Sequence, residues 1–271
     1  MHACGHDAHM AMLLGAARVL SEIRGELKGS VKLIFQPAEE IGEGAREIVK
    51  EGHLDGVSAI IGLHVWMSLP SGSIGVKEGV MMASADTFRV RVRGRGGHAA
   101  MPHETVDPVV IAAELISGFQ KVISREVSPL KPAVISVTVL RAGRAPNVIP
   151  EEAEMKGTIR ALEEEVRSYL IGRMEEICSK YASALRAEAR FELLREGVPP
   201  TVNDERLARI ARRLISNVEL GELVDPEPSM GAEDFSYYTE KIPGLYLVLG
   251  TRNEKEGIVH PHHHPLSLIH I

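Results

Sequence analysis

Asp86-Thr87-Phe88-Arg89-Val90-Arg91-Val92-Arg93 is the stretch on which the fold turns. Phe88, Val90 and Val92 alternate with Arg89, Arg91 and Arg93. A two-residue period with one apolar and one cationic face belongs to a half-exposed β-strand. Downstream, the spacing predicts a helix over 108–124, strands over 134–140 and 154–160, a helix over 163–185 and a strand over 189–194. The second helix is expected to present Val166, Leu170, Met174, Ile177 and Tyr181 on one face. The order β-α-β-β-α-β is that of a ferredoxin-like domain.

Upstream the pattern is different. Met10, Leu13, Leu14, Ala17 and Leu20 recur at helical spacing and Gly25 follows, which predicts a helix over 7–24. A strand over 30–35 closed by Pro37, a short helix over 44–50 and a buried strand over 58–65 come next. Strands alternating with helices predict a mostly parallel sheet sandwiched by helices. Pro199 and Pro200 mark a return linker over 196–203, followed by a helix over 204–217 and a strand over 245–249. The fold class expected is α/β, with the ferredoxin-like domain (83–197) inserted between the two parts (1–82 and 198–271) of the sandwiched-sheet domain.

The bulk numbers exclude several classes. Of 271 residues, 44% are hydrophobic and 25% charged, an ordinary globular composition. A net charge of −6 gives a nucleic-acid partner no electrostatic support. No apolar run is long enough to span a membrane, and the first residues lack the basic and apolar regions of a signal peptide. Two distant cysteines, Cys4 and Cys178, make no disulfide framework, so a reduced cytoplasmic setting is expected.

Chemistry-bearing residues gather in a few places. His2, Cys4, His6, Asp7 and His9 crowd a predicted helix start. There the helix dipole favours a thiolate, Cys4 and His6 can share an ion, and Asp7 can hold His6 from behind; a helix cap with incidental histidines is the plainer alternative. Glu39 and Glu40, in Gln36-Pro37-Ala38-Glu39-Glu40, follow a predicted strand. Adjacent carboxylates there can divide metal binding from proton handling, or can simply open the next helix in solvent. His64 ends another predicted strand, where a histidine is either a ligand or a packed core residue. Gly94-Arg95-Gly96-Gly97-His98 is a glycine-rich turn that can bring backbone close to a ligand, with His98 as an oxyanion donor, or a plain hairpin turn. Asn147 and Arg160 suit a carboxylate, or serve as turn and surface charge. Gly231-Ala232-Glu233-Asp234-Phe235 and His260-Pro261-His262-His263-His264-Pro265 complete the set. Thiol, imidazole and carboxylate together suit zinc, manganese or a similar ion.

Met1-His2-Ala3-Cys4-Gly5-His6-Asp7, Gln36-Pro37-Ala38-Glu39-Glu40, Gly97-His98-Ala99-Ala100, Asn147-Val148-Ile149-Pro150 and Gly231-Ala232-Glu233-Asp234-Phe235, in this order, closely resemble the M20 metallopeptidase family. The likeness is to its amidohydrolase branch of hippurate, N-acyl-amino-acid and auxin-conjugate hydrolases. It implies two divalent ions (Mn2+ or Zn2+) per subunit, held by Cys4, His6, Glu40, His64 and His263, the last chosen as the histidine two residues before Pro265. It implies Glu39 as general base and then acid, and His98 reaching across a homodimer, formed by the inserted domain, to stabilise an oxyanion. Asn147 and Arg160 are implied as substrate contacts. The substrate expected is an N-acyl amino acid or peptide-like amide. Family members carry further residues before the Cys-Gly-His-Asp motif and a different ending from Leu266-Ser267-Leu268-Ile269-His270-Ile271, so a fragment lacking N-terminal strands is expected. A hydrolase with Cys4 as nucleophile and a non-catalytic metal-binding protein are the alternatives.

Overall fold

The computed structural model describes residues 3–195, 197–218 and 221–266. His2 of the N-terminal cluster, Glu196 of the anticipated linker and the tail 267–271 lie outside the described residues. In chain order the elements are α1 (His6–Glu22), α2 (Gly44–Lys50), β1 (Ile60–Pro70), β2 (Ser73–Gly75), β3 (Gly79–Met82), β4 (Asp86–Arg93), β5 (Gly97–His98), α3 (Pro108–Arg125), β6 (Ala133–Ala142), β7 (Val148–Ile149), β8 (Glu152–Ala161), α4 (Glu164–Ala184), β9 (Glu188–Leu193), β10 (Thr201–Asn203), α5 (Glu205–Val218), β11 (Glu222–Val224), α6 (Ser236–Thr239) and β12 (Gly244–Arg252). None of the described helices is long and apolar enough to cross a membrane. The chain divides into two compact units, one built from 1–81, 201–227 and 234–271, the other from 82–200 and 228–233.

The first unit holds a sheet in the order β1-β12-β2-β11. β1 and β12 run parallel from Ile60↔Gly244 to Trp66↔Gly250, β2 and β11 are parallel, and β12 is antiparallel to β2. The sheet is therefore mixed. β2 follows β1 through a turn at Gly72 (φ 89°), so the chain reverses without a crossover helix. Val76, Ala208, Ile215 and Leu245 form a small core between α5 and the sheet. Asn203 is buried and donates to Lys77 O (2.9 Å) and Tyr246 O (3.0 Å) while accepting from Tyr246 N–H (2.6 Å). α1 buries no residue; Met10, Leu14 and Val19 on it, and Ile23 at its C-cap, are exposed.

One expected strand is corrected. Residues 30–35 carry no ladder, and Val31, Leu33 and Phe35 are exposed. A strand is defined by its partner's hydrogen bonds, and among the described residues no neighbour pairs with this segment.

The second unit holds a sheet in the order β6-β8-β4-β9, antiparallel throughout. Phe88, Val90 and Val92 of β4 are fully buried, as their alternation predicts, and pack with Met155 and Ile159 of β8 and with Ile111, Leu115, Phe119 and Val122 of α3. The buried face of α4 is Val166, Leu170, Met174, Cys178 and Ala182. The expected Ile177 is only partly buried and Tyr181 is exposed, so the seam steps by four residues to its end. Asp86, buried at the head of β4, accepts two 2.8 Å hydrogen bonds from Arg167 Nε and Nη2. Residues 228–233 join this unit through Met82↔Ser229 and Ala83 N–H, which donates to Ser229 O and Gly231 O.

Candidate active site and metal centre

Three parts of the first unit converge. The first is the approach to α1. Gly5 enters the helix with φ 83°, a left-handed bend that glycine adopts without steric cost, and Cys4 and His6 flank it. The second is the three-residue turn Glu39–Ile41, preceded by Ala38 at φ 59°. The third is β1. His64 is not at a strand end as expected, because β1 continues to Pro70. Glu39 and Glu40 likewise follow an unpaired segment and not a strand.

Cys4, His6 and His64 have ligand atoms all within 4.8 Å of one another, as do Cys4, Glu40 and His263, and again His6, Glu39 and Glu40. Because Cys4, His6 and Glu40 each belong to two of these groups, the donors form one continuous cluster and not separate sites. Cys4 Sγ lies 3.4 Å from His64 Nε2, and His263 Nε2 lies 3.3 Å from Glu40 Oε1. His6 Nε2 is buried, sits 3.4 Å from Glu39 Oε2 and makes no hydrogen bond. A buried imidazole nitrogen left without one is costly unless something else takes its lone pair.

The electrostatics suit cations. Burial, then the charges of Asp234 and Glu40, push the Glu39 carboxyl up to about 7. Burial, then the charge of His9, hold His64 down at about 3. His64 is thus a neutral imidazole, and its Nδ1–H donates to Val65 O, which leaves Nε2 as the free lone pair facing Cys4. Thiol, imidazole and carboxylate donors gathered in these overlapping groups fit divalent metal ions.

Two histidines with no assigned role bracket His64. His9 Nε2 accepts Val65 N–H (3.0 Å) and His262 Nε2 accepts Met67 N–H (3.3 Å). Their rings lie 4.4 Å and 5.2 Å from the His64 ring, centroid to centroid. The sequence did hold a signal for His9, which is three residues beyond His6 on one helix face. Asp7, expected to support His6, makes no hydrogen bond to it; its charge raises the pKa of His9 instead. Asp234, noted in its motif but given no role, is fully buried and accepts from Gln36 and from Ala45 N–H.

His98, Asn147 and Arg160 belong to the second unit. His98 is exposed on β5, its Nδ1 accepting Ala100 N–H. β5 pairs with β7 and Ala99 N–H donates to Asn147 O, so His98 and Asn147 share one small ribbon. Arg160 is half-buried on β8, and its Nη1 donates to Met230 O at 3.4 Å. Glycines of the turn make room for neighbouring backbone: a Cβ at Gly94 would lie 2.1 Å from Val106 O, and one at Gly96 2.7 Å from Ile149 O.

The family description "Peptidase family M20/M25/M40" matches residues 1–269. N-acetylcysteine deacetylase of Bacillus subtilis is 44% identical over 98% of this chain and 68% of its own length. Thermostable carboxypeptidase 2 of Saccharolobus solfataricus is 41% identical over 97% of this chain and 67% of its own. A Bacillus subtilis structure described as a dinuclear metal-binding peptidase of the M20 family superimposes with a TM-score of 0.83 at 39% identity, covering 98% of this chain and 67% of that one. The chain spans about two thirds of the length of these relatives.

Proposed function

The chain belongs to peptidase family M20/M25/M40 and is a hydrolase of that family, and from this premise we propose that it cleaves the amide bond of N-acyl amino acids, with two divalent ions, Mn2+ or Zn2+, held by Cys4, His6, Glu40, His64 and His263. The observation that carries this reading is the continuous donor cluster with Glu39 at its side. When bound, the ions lower the pKa of water and polarise the scissile carbonyl. Glu39 takes the proton of the attacking water and delivers it to the leaving amine, and a carboxyl poised near neutrality can do both. His64 offers a neutral nitrogen and His6 a buried Nε2 with no hydrogen bond, and His9 and His262 hold the strand that carries His64.

The second unit is proposed as the inserted ferredoxin-like domain, and its β-α-β-β-α-β order with β4 inside the sheet supports that. It is the proposed surface of a homodimer, with His98 stabilising the oxyanion in the partner's site and Asn147 and Arg160 holding the substrate carboxylate. The setting proposed is the cytoplasm.

The test is hydrolysis of hippurate and N-acetylcysteine by the wild type and by Glu39→Gln, with Mn2+, Zn2+ or EDTA. Metal-dependent turnover that falls roughly 100- to 10,000-fold in Glu39→Gln, with metal still bound, is expected. Turnover indifferent to EDTA and lost on alkylation of Cys4 would replace this reading with a thiol nucleophile. Stoichiometric metal with no turnover on either substrate would favour a binding protein.

A further inference from the structure

Asp234 and Gln36 form a lock whose work is at neither residue. Ala38 sits at φ 59°, ψ 28°, the left-handed region that a side chain disfavours, immediately before the turn that presents Glu39 and Glu40. Within the turn, Gly42 N–H donates to Glu39 O (2.7 Å) and Glu43 N–H to Ala38 O (3.3 Å). Both ends of this segment are tied to one carboxylate. Gln36 Nε2 donates to Asp234 Oδ1 (2.7 Å) and Oδ2 (2.9 Å), and Ala45 N–H donates to Asp234 Oδ2 (3.0 Å). Tyr238 OH donates to Gln36 Oε1 (2.8 Å), which fixes the amide's orientation. Asp234 and Ala45 are fully buried. At Gly44 a Cβ would fall 1.8 Å from Pro37 O, so the start of α2 is pressed against the segment from its other side.

We propose that Asp234, through Gln36 and Ala45 N–H, is a positioning residue that closes residues 37–44 into a rigid loop, holds Ala38 left-handed and thereby aims Glu39 and Glu40 into the donor cluster. This deepens the reading of Glu39 as base and Glu40 as ligand, and rests on it for function but not for geometry. It also gives a role to Gly231-Ala232-Glu233-Asp234-Phe235, whose aspartate is neither a proposed ligand nor a proposed proton carrier.

The test compares Gln36→Leu and Tyr238→Phe, each with and without Ala38→Gly. The readouts are hydrogen exchange of the peptide covering 37–45 and the dissociation constant for Co2+. In Gln36→Leu we expect faster exchange at Gly42, Glu43 and Ala45 and a Co2+ affinity weaker by roughly 10- to 100-fold. Tyr238→Phe should move both the same way by less. Adding Ala38→Gly should recover part of the affinity, because glycine adopts the left-handed conformation without being held there; a loss from general misfolding would not recover. Unchanged exchange in a folded Gln36→Leu, or affinity not recovered by Ala38→Gly, overturns the lock. Should Gln36→Leu fail to fold, Tyr238→Phe decides, and no change in its exchange has the same meaning. A wild type that takes up no Co2+ would sink the metal reading alone, since exchange still judges the lock.

Discussion

Glu39 and His64 lie in one cluster and are driven in opposite directions by the same burial. Glu39 rises to about 7 from 4.5, so its neutral form is the one folding favours without metal. Its contribution to stability is full below pH 4.5 and is lost as pH rises through about 7. His64, held at about 3, and His9, held at about 4 by burial and then the charge of His6, work the other way. Their contribution is present above pH 6.5 and lost as pH falls through those values. In EDTA, therefore, Glu39→Gln should gain stability over the wild type progressively between pH 4.5 and about 7, by on the order of 2 kcal/mol, and level off above. Thermal melts of both proteins across that range check it, and a constant difference would show that Glu39 is not perturbed.

At the scale of elements, α4 shows how packing refines a periodicity. Ile177 and Tyr181 are the larger apolar residues, and pattern reading selects them. The structure instead buries Cys178 and Ala182, both fully, because small side chains let the end of the helix approach the sheet. Met174→Ala should cost about 2–5 kcal/mol, and Tyr181→Ala less than about 1 kcal/mol. Equal losses in denaturant titrations would put Tyr181 back in the core. β1 teaches a related lesson. Two of its N–H groups, at Val65 and Met67, are taken by His9 and His262, so histidine rings stand where a neighbouring strand would otherwise pair.

The two units have separate cores, one around Phe88, Leu115 and Leu170 and one around Val76 and Leu245. Cys4, His6, Glu39, Glu40, His64 and His263 all belong to the first unit. Calorimetry should accordingly resolve two transitions. Mn2+ at about 100 times its dissociation constant should stabilise one of them by about 2.7 kcal/mol and leave the other unmoved. A single transition, or two that move together, would show that the units unfold as one body.

How much of this was legible beforehand follows from what each level of order depends on. β4 was found to the residue, and α2, α3 and α4 to within a residue or so, because amphipathic period, Gly and Pro stops and caps are local properties. Cys4, His6, Glu39 and Glu40 stand in short motifs dense in reactive side chains, whereas His64 and His263 are singled out as ligands only through the family resemblance. What the chain's order could not disclose was anything defined by a distant partner. Residues 30–35 alternate like a strand but have no ladder; the antiparallel β12–β2 pairing, the histidine caps on β1 and the tie from Asp234 to Gln36 each join residues far apart in sequence. Local chemistry sets which groups are available. Only the tertiary fold decides which of them meet, because a hydrogen bond or a shared ion depends on positions in space that no period along the chain encodes.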